Sequence, residues 1–141
     1  MTTFLPLMTR RLFDASTYAV LSTVNADGSP QSSVVWIRRD GDELLMSTIR
    51  GRRKAANMVR DRRVSLCAYD PADPFQYVEV RGTVTMAEEG GDELIDELSR
   101  AYTGNSWKRR PEEVRLVVRL TPSKVIERVS VQSPSYVGGD G

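Results

Sequence analysis

The polar and apolar positions of the chain change period several times, and each change marks an element. Leu5, Leu7, Met8, Leu12 and Phe13 recur near helical spacing, so residues 5–15 read as a short amphipathic helix. The segment YAVLSTV (18–24) is β-branched and aromatic, which suits a strand. Asn25-Ala26-Asp27-Gly28 follows with turn chemistry, because Asn and Asp hydrogen-bond their own backbone and Gly reaches positive φ cheaply. Residues 31–38 alternate, with Ser33, Val35 and Ile37 on one face. Asp40-Gly41-Asp42 is a second hairpin signal before a strand over 43–48. Two hairpins in succession predict a three-stranded antiparallel meander.

The period then becomes helical over 51–60, with Ala55, Met58 and Val59 as the apolar face and Arg52, Lys54 and Asn57 left more exposed. Strands are expected at 64–69 and 77–86, and a helix over 88–102 with Leu94, Ile95 and Leu98 as its stripe. Residues 114–120 and 125–131 close the sheet as one long strand or two shorter ones. Thr121-Pro122-Ser123 interrupts them, and proline fits there only at a bulge, edge or turn. The order predicts a mainly β, antiparallel barrel with helices patching its open ends. No Gly-rich nucleotide fingerprint follows a strand, which disfavours a doubly wound dinucleotide fold.

Composition narrows the chemistry. A chain of 141 residues suits one domain, expected over 1–132, with a loosely ordered Gly-, Ser- and Pro-rich tail at 133–141. Twenty Lys and Arg against 19 Asp and Glu leave a net charge of +1, which argues against a general nucleic-acid binder. There is no histidine and one cysteine, so a histidine base, the usual zinc constellations within one chain and an intrachain disulfide are all excluded. Arg10 and Arg11 interrupt the N-terminal apolar positions early, against a signal peptide or membrane span; a cytoplasmic location is expected.

Arg50-Gly51-Arg52-Arg53-Lys54 is the most informative stretch. It lies between a strand and a helix N-terminus, where free backbone N–H groups and the helix dipole favour an anion. Basic side chains are mildly unfavourable there unless an anion compensates them. Ser47 and Thr48 end the strand with hydroxyls nearby, and Arg and Lys grip phosphate as a fork and a point charge. A solvated surface charge run is the plainer alternative. Nucleic acid could also supply phosphates, with Trp36, Tyr69, Phe75, Tyr77 and Trp107 as stacking platforms, but the near-neutral total opposes it.

The meander NADGSPQSSVVWIRRDGDELLMST and the block RGRRKAANMVRDRRVSLCAYD together resemble the pyridoxamine phosphate oxidase-like superfamily, and more closely its small actinobacterial members that use the deazaflavin cofactor F420. The resemblance spans about residues 12–129. It implies a split β-barrel of the flavin-reductase type and a homodimer with the cofactor at its interface. Arg52 and Lys54 match the basic pair that holds the cofactor phosphate, with Ser47 and Thr48 beside them. Ser32, Ser33, Val34 and Val35 match the strand running along the isoalloxazine-like ring. Asn57 matches the position tying the cofactor helix to the barrel, and Trp107 and Lys108 are placed as partner-side contributors.

The implied activity is hydride transfer between reduced F420 and a small conjugated or aromatic acceptor, with no catalytic side chain assigned. FMN is the alternative cofactor, and a carrier of cofactor or of a flat apolar ligand is the alternative function. Read without the resemblance, Val34, Val35, Trp36 and Ile37 are core or interface, Tyr77, Glu79 and Arg81 share a strand face with Glu79 and Arg81 as a surface ion pair, and Cys67 is a buried inert thiol.

Overall fold

A computed structural model describes residues 3–129. In chain order the elements are α1 (Leu7–Asp14), β1 (Ala19–Val24), β2 (Pro30–Val35), β3 (Arg38–Asp40), β4 (Glu43–Ile49), α2 (Arg53–Arg60), β5 (Arg63–Asp70), β6 (Asp73–Ala87), α3 (Gly91–Thr103) and β7 (Arg115–Arg128). The strands form one seven-stranded sheet in the order β2-β1-β5-β6-β7-β4-β3, and every pair is antiparallel. This is the expected mainly β, split-barrel architecture with helices patching a curled sheet. The expected tail at 133–141 lies outside the described residues.

The expected meander is corrected. The alternating segment 31–38 is two strands, with β2 paired to β1 at one edge of the sheet and β3 paired to β4 at the other. Only Trp36 and Ile37 separate them, so the sheet curls far enough to bring the end of one edge strand to the start of the other, and this link is the seam. Tyr102 on α3 holds the seam: its Oη accepts the Ile37 N–H at 2.9 Å and can donate to Thr17 O at 2.9 Å or Ile37 O at 3.2 Å. A buried N–H taken by a side chain is no longer free to extend a ladder. Alternation alone could not reveal the break, because Val35 and Ile37 are both buried on either side of it.

Alternate residues of every strand but β3 fill the barrel, led by Leu21, Leu44, Met46, Leu66, Val78, Val80 and Leu120. Leu12 and Phe13 of α1 and Met58 of α2 join this core. Leu7 and Val59, expected on apolar helix faces, are instead exposed. Each of these helices has eight residues, long enough to bury only a narrow stripe. A second cluster lies outside the sheet, where Leu94 and Leu98 of α3 cover Leu45, with Trp36, Tyr102 and Val117 at its margin.

β7 is one continuous strand. Its register against β6 shifts where Gly82 faces Pro122 and Arg81 faces Lys124, so Ser123 is the extra residue of a bulge. Proline adds no N–H to the ladder, and a Cβ at Gly82 would run into the Thr121 carbonyl.

Candidate functional site

The turn from β4 into α2 sets the site. Gly51 has φ +97°, in the left-handed region, and turns the chain sharply so that Arg52 occupies the N-cap position. Arg52 provides no side-chain cap, and the first turn of α2 holds no acidic residue. The helix therefore presents uncapped N–H groups beside a basic side chain. Within this turn, Arg50 is already paired with Glu88 at 2.7 Å.

Arg52 and Lys54 open onto a cleft of ≈ 270 Å³. Val34, Val35 and Trp36, ending β2 and entering the seam, form one wall; Ile95 and Leu98 of α3 form another; Ser47, Trp107 and Arg115 complete the lining. The aromatic side is rigidly packed. Trp36 stacks on Tyr102 with ring centres 5.4 Å apart and meets Trp107 edge-on at 6.2 Å. Asp96 accepts the Trp107 N–H at 2.8 Å, fixing the loop after α3.

The polar side is crowded with positive charge. Lys54 Nζ donates to Ser33 Oγ at 3.2 Å. Burial pushes the Lys54 ammonium below its usual range, and the charges of Arg52 and Arg115 push it the same way. Only 12% of the Arg115 side chain reaches solvent. Burial lowers its pKa too, opposed by Glu113 and reinforced by Arg52. Its Nη1 reaches Ser47 Oγ at 3.4 Å and its Nη2 reaches Glu113 Oε2 at 3.4 Å, both near the limit of hydrogen bonding. Its Nε is buried without an acceptor. The guanidinium lies 4.7 Å from the centre of the Trp107 ring, a cation–π contact. Three cations thus share one cleft, and this arrangement favours an anion.

A roomier groove of ≈ 570 Å³ lies behind α2 along Met58, Val84, Met86 and Leu116. Its rim holds the paired Arg50 and the single Arg62, with no comparable convergence of charge. The smaller cleft is the better candidate on electrostatic grounds.

Of the residues singled out from sequence, the structure gathers Val34, Val35, Ser47, Arg52, Lys54 and Trp107 around this cleft, with Ser33 touching it through Lys54. Ser32 faces the other side of the sheet, 3.3 Å from Ser22 Oγ. Thr48 is buried on the same side of β4 as Leu44 and Met46, and its hydroxyl has no partner. Lys108 is exposed and does not line the cleft. Asn57, expected to be exposed, is buried behind α2, where its amide donates to Thr23 Oγ1 and Asn25 Oδ1, each at 3.0 Å, and accepts from Arg60. It ties the helix to the β1–β2 hairpin. The amphipathic pattern misplaces it because a buried amide needs partners that lie far along the chain.

Arg115 was absent from the sequence candidates. It starts β7, and only the β4–β7 pairing, which sets Ile49 opposite Arg115, brings it to Ser47 and α2. Cys67 is also corrected: it lies exposed on the outer face of β5, with its thiol pushed up by partial burial and by Glu79. The expected Glu79–Arg81 ion pair is present at 3.1 Å. Among the described residues no His, Cys, Asp and Glu cluster could hold a metal, and no helix is long and apolar enough to cross a membrane.

Comparisons with known proteins agree with this architecture. The family model described as pyridoxamine 5'-phosphate oxidase matches residues 8–128. A solved structure described as an F420 reductase is 26% identical, with a TM-score of 0.78, covering 86% of this chain and 98% of its own. General Stress Protein 26 from Bacillus anthracis str. Sterne is 21% identical, TM-score 0.67, over 86% of this chain and 91% of its own. A conserved hypothetical protein from Mycobacterium tuberculosis is 20% identical, TM-score 0.72, over 96% of both chains. The last two likenesses show the fold alone. No curated protein matches the chain.

Proposed function

The chain belongs to the pyridoxamine 5'-phosphate oxidase family, and from that premise we propose that it is an F420-dependent oxidoreductase acting on a small conjugated or aromatic acceptor. The observation carrying this reading is the convergence of Arg52, Lys54 and Arg115 on one cleft, with an unpartnered buried nitrogen on Arg115. The likeness to a structure described as an F420 reductase favours the deazaflavin over FMN. Both carry a phosphate that these cations fit.

Arg52 and Lys54 would hold the phosphate beside the N–H groups opening α2, and the Ser47 hydroxyl would add a neutral contact. Ser33 would steer Lys54 toward it. Because β2 is an edge strand, the backbone groups of Ser33, Val34 and Val35 that do not pair with β1 remain available to a ring's polar edge. Trp36, Ile95 and Leu98 would exclude water from the ring. The cofactor, when bound, supplies the hydride carrier, and this chain's contribution is orientation and a dry pocket.

The same reading includes a homodimer. Val20 and Val34 face each other across β1 and β2 and are both exposed, with Tyr18 just before β1 and Tyr69 on β5 also exposed. An exposed apolar face of this kind suits a second copy.

The test is a fluorescence titration of the purified protein with F420 and FMN under identical conditions. F420 should bind selectively, and Lys54→Ala should weaken it about tenfold or more, the cost of losing one charge-assisted hydrogen bond. Selective binding of FMN would replace the cofactor, and binding of neither would end the reading. Turnover with enones and quinones then separates an enzyme from a carrier.

A further inference from the structure

Arg115 stands between two cavities. On one side is the cleft, with Ser47, Arg52 and Lys54; on the other is a small cavity of ≈ 30 Å³ lined by Asp92, Arg110 and Glu113. Its fork is divided accordingly, with Nη1 toward Ser47 and Nη2 toward Glu113. Neither contact is short, Nε has no acceptor, and the Glu113 side chain is itself only 19% exposed. A deeply set guanidinium with two marginal partners is incompletely satisfied, since a charged donor in low dielectric prefers short acceptors. Trp107 covers its face, with the guanidinium 4.7 Å from the ring centre.

We propose that Glu113 is a resident counter-ion that competes with the ligand's anionic group for Arg115, so that this pair sets the affinity of the cleft. The inference rests on the cleft being an anion site, and it adds Arg115 as the third cation of that site. While Arg115 is turned toward Glu113, part of the positive potential in the cleft is cancelled. When a phosphate enters beside Arg52 and Lys54, Arg115 turns from the carboxylate toward the phosphate oxygens. Glu113 offsets part of the charge that Arg52, Lys54 and Arg115 bring to the cleft, at the cost of weaker binding.

The alternative is that Glu113 orients Arg115 for the ligand, and the two roles predict opposite signs. FMN, F420 and inorganic phosphate are titrated separately against the wild-type protein and Glu113→Gln, with thermal melts to confirm folding. Glu113 also pairs with the exposed Arg110 at 3.5 Å; competition for Arg115 predicts about fivefold tighter binding of each probe by Glu113→Gln, the scale of one partly exposed ion pair. Glu113→Asp, which keeps the carboxylate, should not show the gain. In an Arg115→Ala background the Glu113 substitution should change affinity little, as a double-mutant cycle requires. Unchanged or weaker binding by Glu113→Gln would overturn the proposal, and so would a gain that survives the loss of Arg115. Should the Gln variant fail to fold, Glu113→Ala gives the same readout. If neither cofactor binds the wild-type protein, the proposed function falls, while the phosphate arm still decides the role of Glu113.

Discussion

Lys54 carries a stability cost that a bound anion would offset. Its ammonium is half-buried among like charges, so its pKa in the folded chain lies below the ordinary 10.5. A cation with a lowered folded pKa costs stability while both states are protonated. That cost is relieved as the pH rises through the folded pKa toward 10.5, because the native state loses its proton first. In the absence of ligand, Lys54→Met should therefore melt higher than wild type at neutral pH, and the difference should shrink over that alkaline window. Calorimetric melts of both proteins at stepped pH check this. A gain in stability together with a loss of phosphate binding is the pattern expected where a site keeps unfavourable groups for its ligand.

Among the elements, α3 does more than cover the sheet. Its Leu94 and Leu98 bury Leu45, and its Tyr102 both stacks on Trp36 and accepts the Ile37 N–H. The helix thereby fixes the barrel's seam and one wall of the cleft together. Tyr102→Phe keeps the stack but leaves a buried N–H and the Thr17 carbonyl without their partner. The expected loss is about 1–3 kcal/mol in urea denaturation, with faster amide hydrogen exchange at Ile37 as the local signature. The turn into α2 works in the same way, because Asn57 anchors the helix to Thr23 and Asn25 and so holds Arg52 and Lys54 at the mouth.

On the scale of the whole molecule, the curl of the sheet brings chain-distant residues together and leaves one apolar face open. If that face pairs two copies, Val20→Asp should convert a dimer to a monomer in analytical ultracentrifugation and weaken cofactor binding, although Val20 does not line the cleft. A carboxylate at the centre of such a contact would be buried without a partner. Most individual elements were legible in the chain, because strand and helix periods are local and the turns at Gly28, Gly41 and Gly51 carry their own chemistry. The basic turn was legible for the same reason: Arg52 and Lys54 are two residues apart at a strand–helix junction. The strand break at Trp36 and Ile37 was not, since alternation runs unbroken through it and the group that takes the Ile37 N–H is a tyrosine on α3. Arg115 was not either, because its meeting with Lys54 depends on β7 lying beside β4. Sequence by itself determined the periods, the turns, the resemblance and the basic stretch at the strand–helix junction, all of which depend on neighbours along the chain. Tertiary structure alone decided where the barrel splits, which third cation enters the cleft and which carboxylate faces it, because burial and charge act through space and only the folded sheet sets those distances.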